Sequence, residues 1–385
     1  MKRFIVPLAI STWVGCSLFS CSKSTESNST PKNFTLEITD SVEIDYLGEM
    51  MLIDYDPDED KYLLTTDVYY EYLEVDDKGK ILNHNKFNPE GIDAVETSLG
   101  LGYVDGMVTV LTQTSGYYQF VDSSKVGEIP IPYNYQIFMF YPKLGVFRDK
   151  DKTYFPSLWP ETFAVNMDEG DFYRKLYRLP VLSSLDETTR DTIGVVRLPE
   201  TSKLLDGQVH GFPIPVYTKI ENTLLLSMWL EPRFYVYKQS GDKFDYERTV
   251  EVDIPGWVHY DPVPADKAEQ FFEGFSKKLS GNLTNFFKVG DNYVVVYNKG
   301  ISAEQMSELG QPNDGGLARR KKNPNYAAIF DKDFNQLATN VPFPGTSNYP
   351  MVVNKEGELV VSKVAGMSET EDDGVILYKL KLTQK

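Results

Sequence analysis

The sequence predicts an all-β chain folded as a six-bladed β-propeller, whose ring is closed by the N-terminal strand joining the last blade. Three observations predict this fold. A β-run, a tight turn and a second β-run recur six times, and a second hairpin follows each of these units. The last hairpin is only half present, and an alternating stretch near the N-terminus can supply its missing strand. Such closure removes the exposed sheet edges that promote aggregation.

The N-terminal segment is predicted to be a lipoprotein signal peptide, residues 1–20. Lys2 and Arg3 supply its positive charge, and the apolar stretch 4–18 is too short to span a bilayer as a stable helix. Cys21 follows a small residue directly after this stretch, as in a lipidation box. We therefore predict lipidation of Cys21; the alternative is an ordinary secretory signal followed by a chance cysteine.

Residues 21–33 are predicted to form a flexible tether between the lipid and the domain. The segment is polar, and the first large apolar residue after it is Phe34. Cys16 and Cys21 are the two cysteines of the chain, so cleavage before Cys21 leaves no pair for a disulfide. The remaining residues, 34–385, are predicted to form a single propeller domain.

The charge of the chain limits its partners. Two of its 39 basic residues and none of its 56 acidic residues precede Cys21, so the mature chain carries a net charge of −19. Such a chain repels nucleic acid and anionic headgroups, and we expect membrane contact through the lipid anchor alone. The 25 tyrosines and 22 phenylalanines favour β-structure. We expect a monomer.

The first hairpin of each repeat has its turn at a similar place. The six turns centre near Pro57, Asp105, Lys150, Glu221, Asp291 and Glu356. The first one, 52-LIDYDPDEDKYLL-64, has alternating aspartates that are typical of a calcium loop. An EF-hand would need Gly and Glu where this chain has Glu59 and Thr65. Apolar runs flank the acidic segment, so we interpret it as a hairpin turn.

The second hairpins complete the blades. They are predicted at 69–87, 117–131, 173–198, 233–252 and 326–343, with half a hairpin at 374–382. The stretch 34-FTLEITDSVEI-44 alternates well enough to be the missing strand of the sixth blade.

Long connections are predicted to gather on one face of the propeller. They are the segments 157–172, 199–215, 253–285 and 298–325. Each follows the second or the fourth strand of a blade, and these two connections leave a blade on the same side. Long loops on one face of a rigid scaffold usually mark the binding surface.

Two loops on this face share a Trp and a Glu at identical offsets. Trp159 and Glu161 follow Ser157, as Trp229 and Glu231 follow Ser227 in the next blade. A tryptophan beside a carboxylate suits sugar stacking with hydroxyl hydrogen bonds, or capture of an apolar peptide side chain. The alternative is that the tryptophans pack between blades. The predicted ligand-binding residues are Trp159, Glu161, Trp229, Glu231, Arg233, Trp257 and His259.

Two further features lie in these loops. The segment 265–280 is predicted to be a helix, because Phe271, Phe272, Phe275 and Leu279 fall on one stripe. We expect this helix to pack on its own propeller. The segment 318-ARRKK-322 is a basic island in a Gly-, Pro- and Asn-rich stretch, and it is interpreted as a loop.

No motif of a known catalytic class is present, and we predict neither a cofactor nor a metal ion. HExxH, a Walker loop, GxSxG and the aspartate box of sialidase propellers are all missing from the sequence. Acidic residues on the loop face could still form a pair for glycoside chemistry. The candidates for such a pair are Glu161, Asp168, Glu169, Glu231, Asp253 and Asp261.

The chain resembles six-bladed propeller lipoproteins of Bacteroidetes-type Gram-negative bacteria. The resemblance rests on the lipidation box, the six-fold repeat and the residue pattern of strands such as 233-RFYVYKQSGDKF-244 and 326-YAAIFDKDFNQL-337. The resemblance covers about residues 34–382. It implies an outer-membrane lipoprotein, on the periplasmic side or at the cell surface, and it assigns no site residues. We predict a protein that binds a glycan, a peptide or a partner envelope protein. The alternative is a glycosidase-like hydrolase or lyase that uses acidic residues at the channel mouth.

Overall fold

Six antiparallel sheets of four strands each make up the computed structural model of the protein, which confirms the predicted propeller. The structure describes residues 33–66, 69–113, 115–131, 144–157, 170–275, 277–309, 315–344, 346–364 and 374–385. The predicted signal peptide and nearly all of the tether, including Cys21, lie outside these residues, as do Trp159, Glu161, Asp168 and Glu169.

The first three blades follow one another along the chain. Blade one contains β2 (Met51–Asp56), β3 (Lys61–Thr65), β4 (Glu71–Asp76) and β5 (Ile81–Lys86). Blade two contains β6 (Ser98–Val104), β7 (Met107–Thr112), β8 (Gly116–Val121) and β9 (Ser124–Ile129). Blade three contains β10 (Phe147–Asp149), β11 (Lys152–Pro156), β12 (Leu182–Asp186) and β13 (Thr192–Val196).

The last three blades include the longest strands. Blade four contains β14 (Pro215–Ile220), β15 (Thr223–Met228), β16 (Arg233–Ser240) and β17 (Lys243–Glu251). Blade five contains β18 (Leu279–Val289), β19 (Asn292–Ile301), β20 (Asn325–Phe330) and β21 (Gln336–Pro342). Blade six contains β22 (Thr346–Val353), β23 (Leu359–Lys363), β24 (Val375–Gln384) and, from the other end of the chain, β1 (Phe34–Ile44).

The N-terminal strand closes the ring as predicted. It pairs antiparallel with β24, from Phe34 opposite Gln384 to Ile44 opposite Val375, with a register shift after Ile38. Apolar and polar residues alternate in this strand. Because every second residue of a strand points to the same side, the apolar residues form one buried face. Its buried side chains are Phe34, Leu36, Val42 and Ile44.

The strands run from the axis outward within each blade. The first strands contact one another around the axis, as β2 does with β6 and β22. Apolar cores lie between neighbouring blades. Leu225 and Phe234 of blade four, for example, pack with Phe286 and Val295 of blade five. These interlocked blades form a rigid support for the loops.

The connections differ in length between the two faces. Turns from first to second strands and from third to fourth strands contain two to five residues. The long connections are 157–181, 197–214, 252–278 and 302–324. All four belong to the other set, which emerges on the opposite side because consecutive antiparallel strands alternate in direction. We call this side the long-loop face.

The acidic stretch of blade one is a hairpin turn, as interpreted. It connects β2 and β3, with Asp60 in the left-handed region at φ +55°. The backbone N–H of Asp58 donates to Asp56 Oδ1 at 3.0 Å, and the Tyr55 hydroxyl donates to Asp60 at 2.7 Å. The aspartate side chains therefore accept hydrogen bonds from within the turn itself.

Helices occupy the long loops, and three predictions need correction there. The predicted hairpin 173–198 starts with a helix, α1 (Gly170–Leu176), instead of a strand. The predicted helix 265–280 is only a 3₁₀ turn (Ala265–Lys267) followed by α2 (Glu269–Phe275), since β18 already begins at Leu279. The basic island lies in a helix rather than a loop.

The basic island belongs to α4 (Gly315–Lys322), which follows α3 (Ala303–Glu308). Four basic residues occupy the last turn of α4, where positive charge interacts favourably with the negative end of the helix dipole. Lys322 pairs with Glu308 of α3 at 3.5 Å. A second 3₁₀ turn, Lys203–Leu205, lies in the connection before β14. Within the described ranges, no helix has both the length and the apolar character needed to cross a membrane.

Candidate functional site

The turn between β15 and β16, together with the first residue of β16, carries three of the predicted ligand-binding residues. Ser227, fully buried at the end of β15, donates its hydroxyl to the backbone oxygen of Arg233 at 2.7 Å. The backbone N–H of Glu231 donates to Met228 at 2.8 Å. The backbone oxygen of Trp229 accepts from Leu283 of blade five at 2.7 Å. This turn is therefore fixed on both sides, and it directs Glu231 inward.

Glu231 is a buried carboxyl with one unsatisfied oxygen. Its side chain is 2% exposed, and its Oε2 accepts a hydrogen bond from the Tyr235 hydroxyl at 3.0 Å. Its Oε1 has no hydrogen-bond partner among the described residues. Burial raises the pKa of Glu231 to about 7, although the charge of Arg233 opposes the shift. Glu231 can therefore exchange a proton near neutral pH and accept a further hydrogen bond.

Arg233 provides the buried positive charge beside this carboxyl. It is 7% exposed, and its Nη2 lies 3.2 Å from Glu251 Oε1. Within the described part of the chain its Nε has no partner, and the same holds for Nε1 of the half-buried Trp229. Buried polar atoms are nearly always hydrogen-bonded in folded proteins. One acceptor and two donors thus remain available around this turn.

A hydrogen-bonded series of three side chains, which the sequence did not predict, lies near enough for the charge of Glu231 to act on one of its members, Tyr260. His210 is buried, with Nε2 3.0 Å from Asp206 Oδ1 and Nδ1 2.7 Å from the Tyr260 hydroxyl. In the tautomer in which Nε2 donates to Asp206, Nδ1 accepts the hydrogen of Tyr260. Asp206 therefore orients His210, and His210 orients Tyr260.

Backbone contacts bring this series together from two loops. Val209 and Val263 exchange backbone hydrogen bonds of 2.8 and 3.1 Å, which join the connection before β14 to the one before β18. The Tyr177 hydroxyl accepts from the His210 backbone N–H at 2.7 Å and donates to Gly211 at 2.9 Å. His210 and Tyr260 therefore meet although they are 50 residues apart.

Helix α2 covers one side of this series. Phe271 is buried, and its ring lies 5.9 Å from that of Tyr260. Gly211 has φ +76°, and a Cβ there would lie 2.3 Å from the Phe271 ring, so only glycine allows this approach. Helix α2 thus packs on its own propeller, as expected.

The charges of this region act on one another. The pKa of Tyr260 is raised by burial and then by the negative charges of Glu231 and Asp206. The pKa of Asp206 is lowered: burial opposes this shift, but hydrogen bonds from His210 and Gln208 outweigh it. Tyr260 therefore remains a neutral hydroxyl while Asp206 stays ionised. We name the whole group the blade-four cluster: Asp206, His210, Trp229, Glu231, Arg233, Tyr235 and Tyr260.

The other predicted residues lie apart from this cluster or outside the described residues. Trp257 is 9% exposed and packs in the core between blades four and five, where its ring lies 6.3 Å from that of Tyr297. Trp257 thus packs between blades, which is the alternative to ligand binding that the sequence analysis left open for the tryptophans. His259 is exposed on the same loop. Their roles in ligand binding stay predictions, as do those of Trp159 and Glu161.

Among the acidic candidates for catalysis, Asp261 forms a surface ion pair with Lys278 at 2.6 Å. The backbone N–H of Asp253 donates to Gln336 Oε1 of blade five at 2.9 Å. In the described ranges, no group of three or more His, Cys, Asp or Glu side chains is arranged to hold a metal ion. Among the acidic candidates that the structure describes, Glu231 is thus the one whose surroundings most favour proton transfer.

The pKa of Glu231 leads to a testable prediction about stability. The carboxyl titrates near 4.5 when exposed and near 7 in the fold, so the folded state retains a proton that the unfolded chain has released. Its stabilising contribution is complete below about pH 4.5 and is lost as pH rises through 7. From pH 5 to pH 8 the free energy of unfolding should fall by about 2 kcal/mol through this group.

Glu231→Gln removes this titration while nearly preserving shape, so its free energy of unfolding should fall less with pH. Urea unfolding at pH 5, 6.5 and 8 measures the difference from the wild type. The exposed Glu200→Gln is the matched control and should follow the wild type. Parallel pH profiles for the wild type and Glu231→Gln would show that Glu231 titrates like an exposed carboxyl.

Comparisons with known proteins support the fold. No protein-family model matches the chain, and comparison with curated proteins finds no match. A member of the DUF4221 family from Bacteroides vulgatus has a TM-score of 0.65 at 13% identity, over 92% of this chain and 100% of that chain. A Bacteroides fragilis protein described as exported has a TM-score of 0.50 at 11% identity, over 91% and 95%. At these identities the likeness establishes the propeller fold alone.

Proposed function

We propose that this protein is a lipid-anchored envelope propeller that binds a glycan at the blade-four cluster on its long-loop face. The observation that carries this proposal is the buried Glu231 carboxyl, whose Oε1 has no hydrogen-bond partner among the described residues. An unsatisfied buried acceptor costs about 1–3 kcal/mol, which a bound hydroxyl group would recover.

The chemistry of the cluster favours hydroxyl groups over other ligands. A sugar hydroxyl can donate to Glu231 while accepting from Arg233 Nε or Trp229 Nε1, the two donors without an internal partner in the described residues. The half-buried Trp229 and Tyr260 add aromatic surface for the apolar face of a sugar ring. The strongly acidic chain makes a polyanionic ligand unfavourable.

The anchor and the location belong to the same proposal. The apolar stretch 4–18 and Cys21 support export and lipidation, and the fold neighbour from Bacteroides fragilis is described as exported. Mass measurement of the N-terminal peptide of the purified protein tests the anchor: a mature chain that begins at lipidated Cys21 is expected, and an unmodified Cys21 would contradict it.

A binding screen of the purified protein on immobilised glycans and peptides tests the ligand class. We expect binding to neutral glycans, weakened about 10- to 100-fold by Glu231→Gln, because a hydrogen bond to a charged group contributes about 1.5–3 kcal/mol. Trp229→Phe keeps the ring but removes the Nε1 donor, and it should have a smaller effect. Glu200→Gln is the exposed control.

Two results would contradict the glycan proposal. Binding to peptides alone would indicate a different ligand class, and glycan binding that Glu231→Gln leaves unchanged would place the site elsewhere. Circular dichroism of each variant separates these results from loss of folding.

A second candidate function is acid–base catalysis on the bound glycan, as a hydrolase or lyase. It is favoured by the pKa of Glu231, about 7, which is close to that of an effective general acid or base at neutral pH. Tyr260, oriented by His210, would be a further hydrogen-bonding group for the glycan. Mass spectrometry of the glycans after incubation distinguishes the two functions: shortened or unsaturated products, lost in Glu231→Gln, would show catalysis, and intact glycans would show binding alone.

A further inference from the structure

A cavity opens on the long-loop face, between blades one and two. Its volume is about 200 Å³. One wall is the connection from β5 to β6, with Glu96 and Thr97, and the other is the turn after β7, with Gln113. Tyr118 of β8 and Lys125 of β9 line it from the outer side. The cavity therefore belongs to different blades from the blade-four cluster.

The walls of this cavity are hydrogen-bonded to the propeller. The Gln113 backbone N–H donates to Thr97 at 3.3 Å, which joins the two walls directly. The Tyr70 hydroxyl of blade one donates to the backbone oxygen of Glu96 at 3.0 Å. The Val95 backbone N–H donates to Asn88 at 2.9 Å. A cavity with such support is preformed, which lowers the entropic cost of binding.

The charges around the cavity leave no cation unpaired among the described residues that line it. Lys125 Nζ lies 4.2 Å above the centre of the Tyr118 ring and 2.9 Å from Glu128 Oε1, so a carboxylate already neutralises it. Glu96 adds a negative charge to the lining. The cavity therefore offers an anionic ligand no unpaired cation, and its polar walls do not suit a purely apolar ligand.

Its size and lining define a ligand class. The volume is below the roughly 300–1,000 Å³ of drug-sized sites, so it suits a single ring. Thr97, Gln113 and Glu96 offer hydroxyl, amide and carboxylate groups, while Tyr118 and the 91% exposed Ile92 at the rim offer apolar surface. Hydrogen-bonding groups around an aromatic ring are suited to sugar hydroxyls and the C–H face of a sugar.

We propose that this cavity is a binding site for one ring of a neutral sugar. It does not depend on the blade-four cluster, because the two sites share no residue and belong to different blades. A ligand of this size is expected to bind with a Kd of about 1–10 mM.

Saturation-transfer NMR of the purified protein with glucose, galactose, mannose and N-acetylglucosamine tests the proposal. At least one of these sugars should show saturation transfer and a saturable titration. Gln113→Ala removes one polar group and should weaken that binding at least fivefold. Ala94→Leu fills the cavity while keeping its polar groups, and it should abolish binding to this cavity.

The controls separate this site from the blade-four cluster and from misfolding. Ser124→Ala, an exposed change on β9 outside the lining, should bind as the wild type does. Because the blade-four cluster is itself proposed to bind neutral glycans, the titrations are repeated in the Glu231→Gln background, where Ala94→Leu should remove the sugar binding that remains. The failure of one site is then distinguishable from that of the other. Circular dichroism verifies that each variant is folded.

Three outcomes would overturn the proposal. No saturation transfer from any of the four sugars would refute a sugar site. Wild-type affinity in a folded Ala94→Leu variant would place the site outside this cavity. Tighter binding of glucuronic acid than of glucose would refute the neutral ligand class.

Discussion

A chain without strand β1 is expected to lose its cooperative fold. This strand belongs to blade six and buries four apolar side chains in the cores between that blade and its two neighbours: Phe34, Leu36, Val42 and Ile44. At about 1.5–3 kcal/mol each, their burial contributes roughly 6–12 kcal/mol. That figure is an upper estimate, but it is comparable to the whole stability of a typical domain, about 5–15 kcal/mol. Loss of β1 also leaves β24 as an open edge that can pair with other chains.

Two truncated chains test this expectation. A chain that begins at Asp45 lacks β1, whereas one that begins at Asn33 keeps it and serves as the control. Urea unfolding followed by tryptophan fluorescence, together with size-exclusion chromatography, should show a cooperative monomer only for the control. An addition of the peptide 34–44 should restore cooperative unfolding to the shorter chain. If the shorter chain unfolds with the same midpoint and slope as the control, closure by β1 is not required.

The second large effect is expected at Gly300 in β19. Its φ is +91°, and an added Cβ would lie 2.4 Å from the backbone oxygen of Leu279 and 2.6 Å from the backbone nitrogen of Gly281. Neither atom can rotate away, because both belong to the paired strand β18. Left-handed strain contributes about 1–2 kcal/mol and overpacking about 1–3 kcal/mol. Gly300→Ala should therefore lower the free energy of unfolding by about 3–4 kcal/mol.

Gly290→Ala is the matched control for this change. Gly290 also has a positive φ, +58°, but a Cβ there meets no atom within 4 Å. It should show the backbone strain alone, about 1 kcal/mol. Urea unfolding of both variants measures the difference. Equal losses at the two glycines would show that close packing against β18 contributes nothing.

The sequence predicted the propeller because hairpin turns leave local signals. Asp105, Lys150 and Glu221 all adopt positive φ in the turns that were predicted around them. Helix α1 was missed because 173-YRKLYRL-179 alternates well enough to resemble a strand. Tyr173, Leu176 and Tyr177 are buried together, at the three- and four-residue spacing of a helix. In so short a segment the two patterns overlap, and packing decides between them.

The candidate site was predictable only where its residues are neighbours in sequence. Glu231 and Arg233 follow the repeated Ser-Trp-Glu pattern, and the structure places both in one buried turn. Asp206, His210 and Tyr260 were missed, because two separate loops bring them together through the Val209 and Val263 pairing. The spacing of Asp206 and His210 was the one local signal, and it is too common to identify a site.

The pairing of β1 with β24 also determines the order in which the fold can be completed. It joins residues as far apart as Phe34 and Gln384, so blade six cannot form until almost the entire chain has emerged. The entropic cost of closing so long a loop rises only with the logarithm of the loop length. The greater risk is that β1 pairs with a strand of another chain before β24 is available. Glu37, Asp40 and Glu43 place negative charges along it, and charged residues on a waiting strand discourage such mispairing.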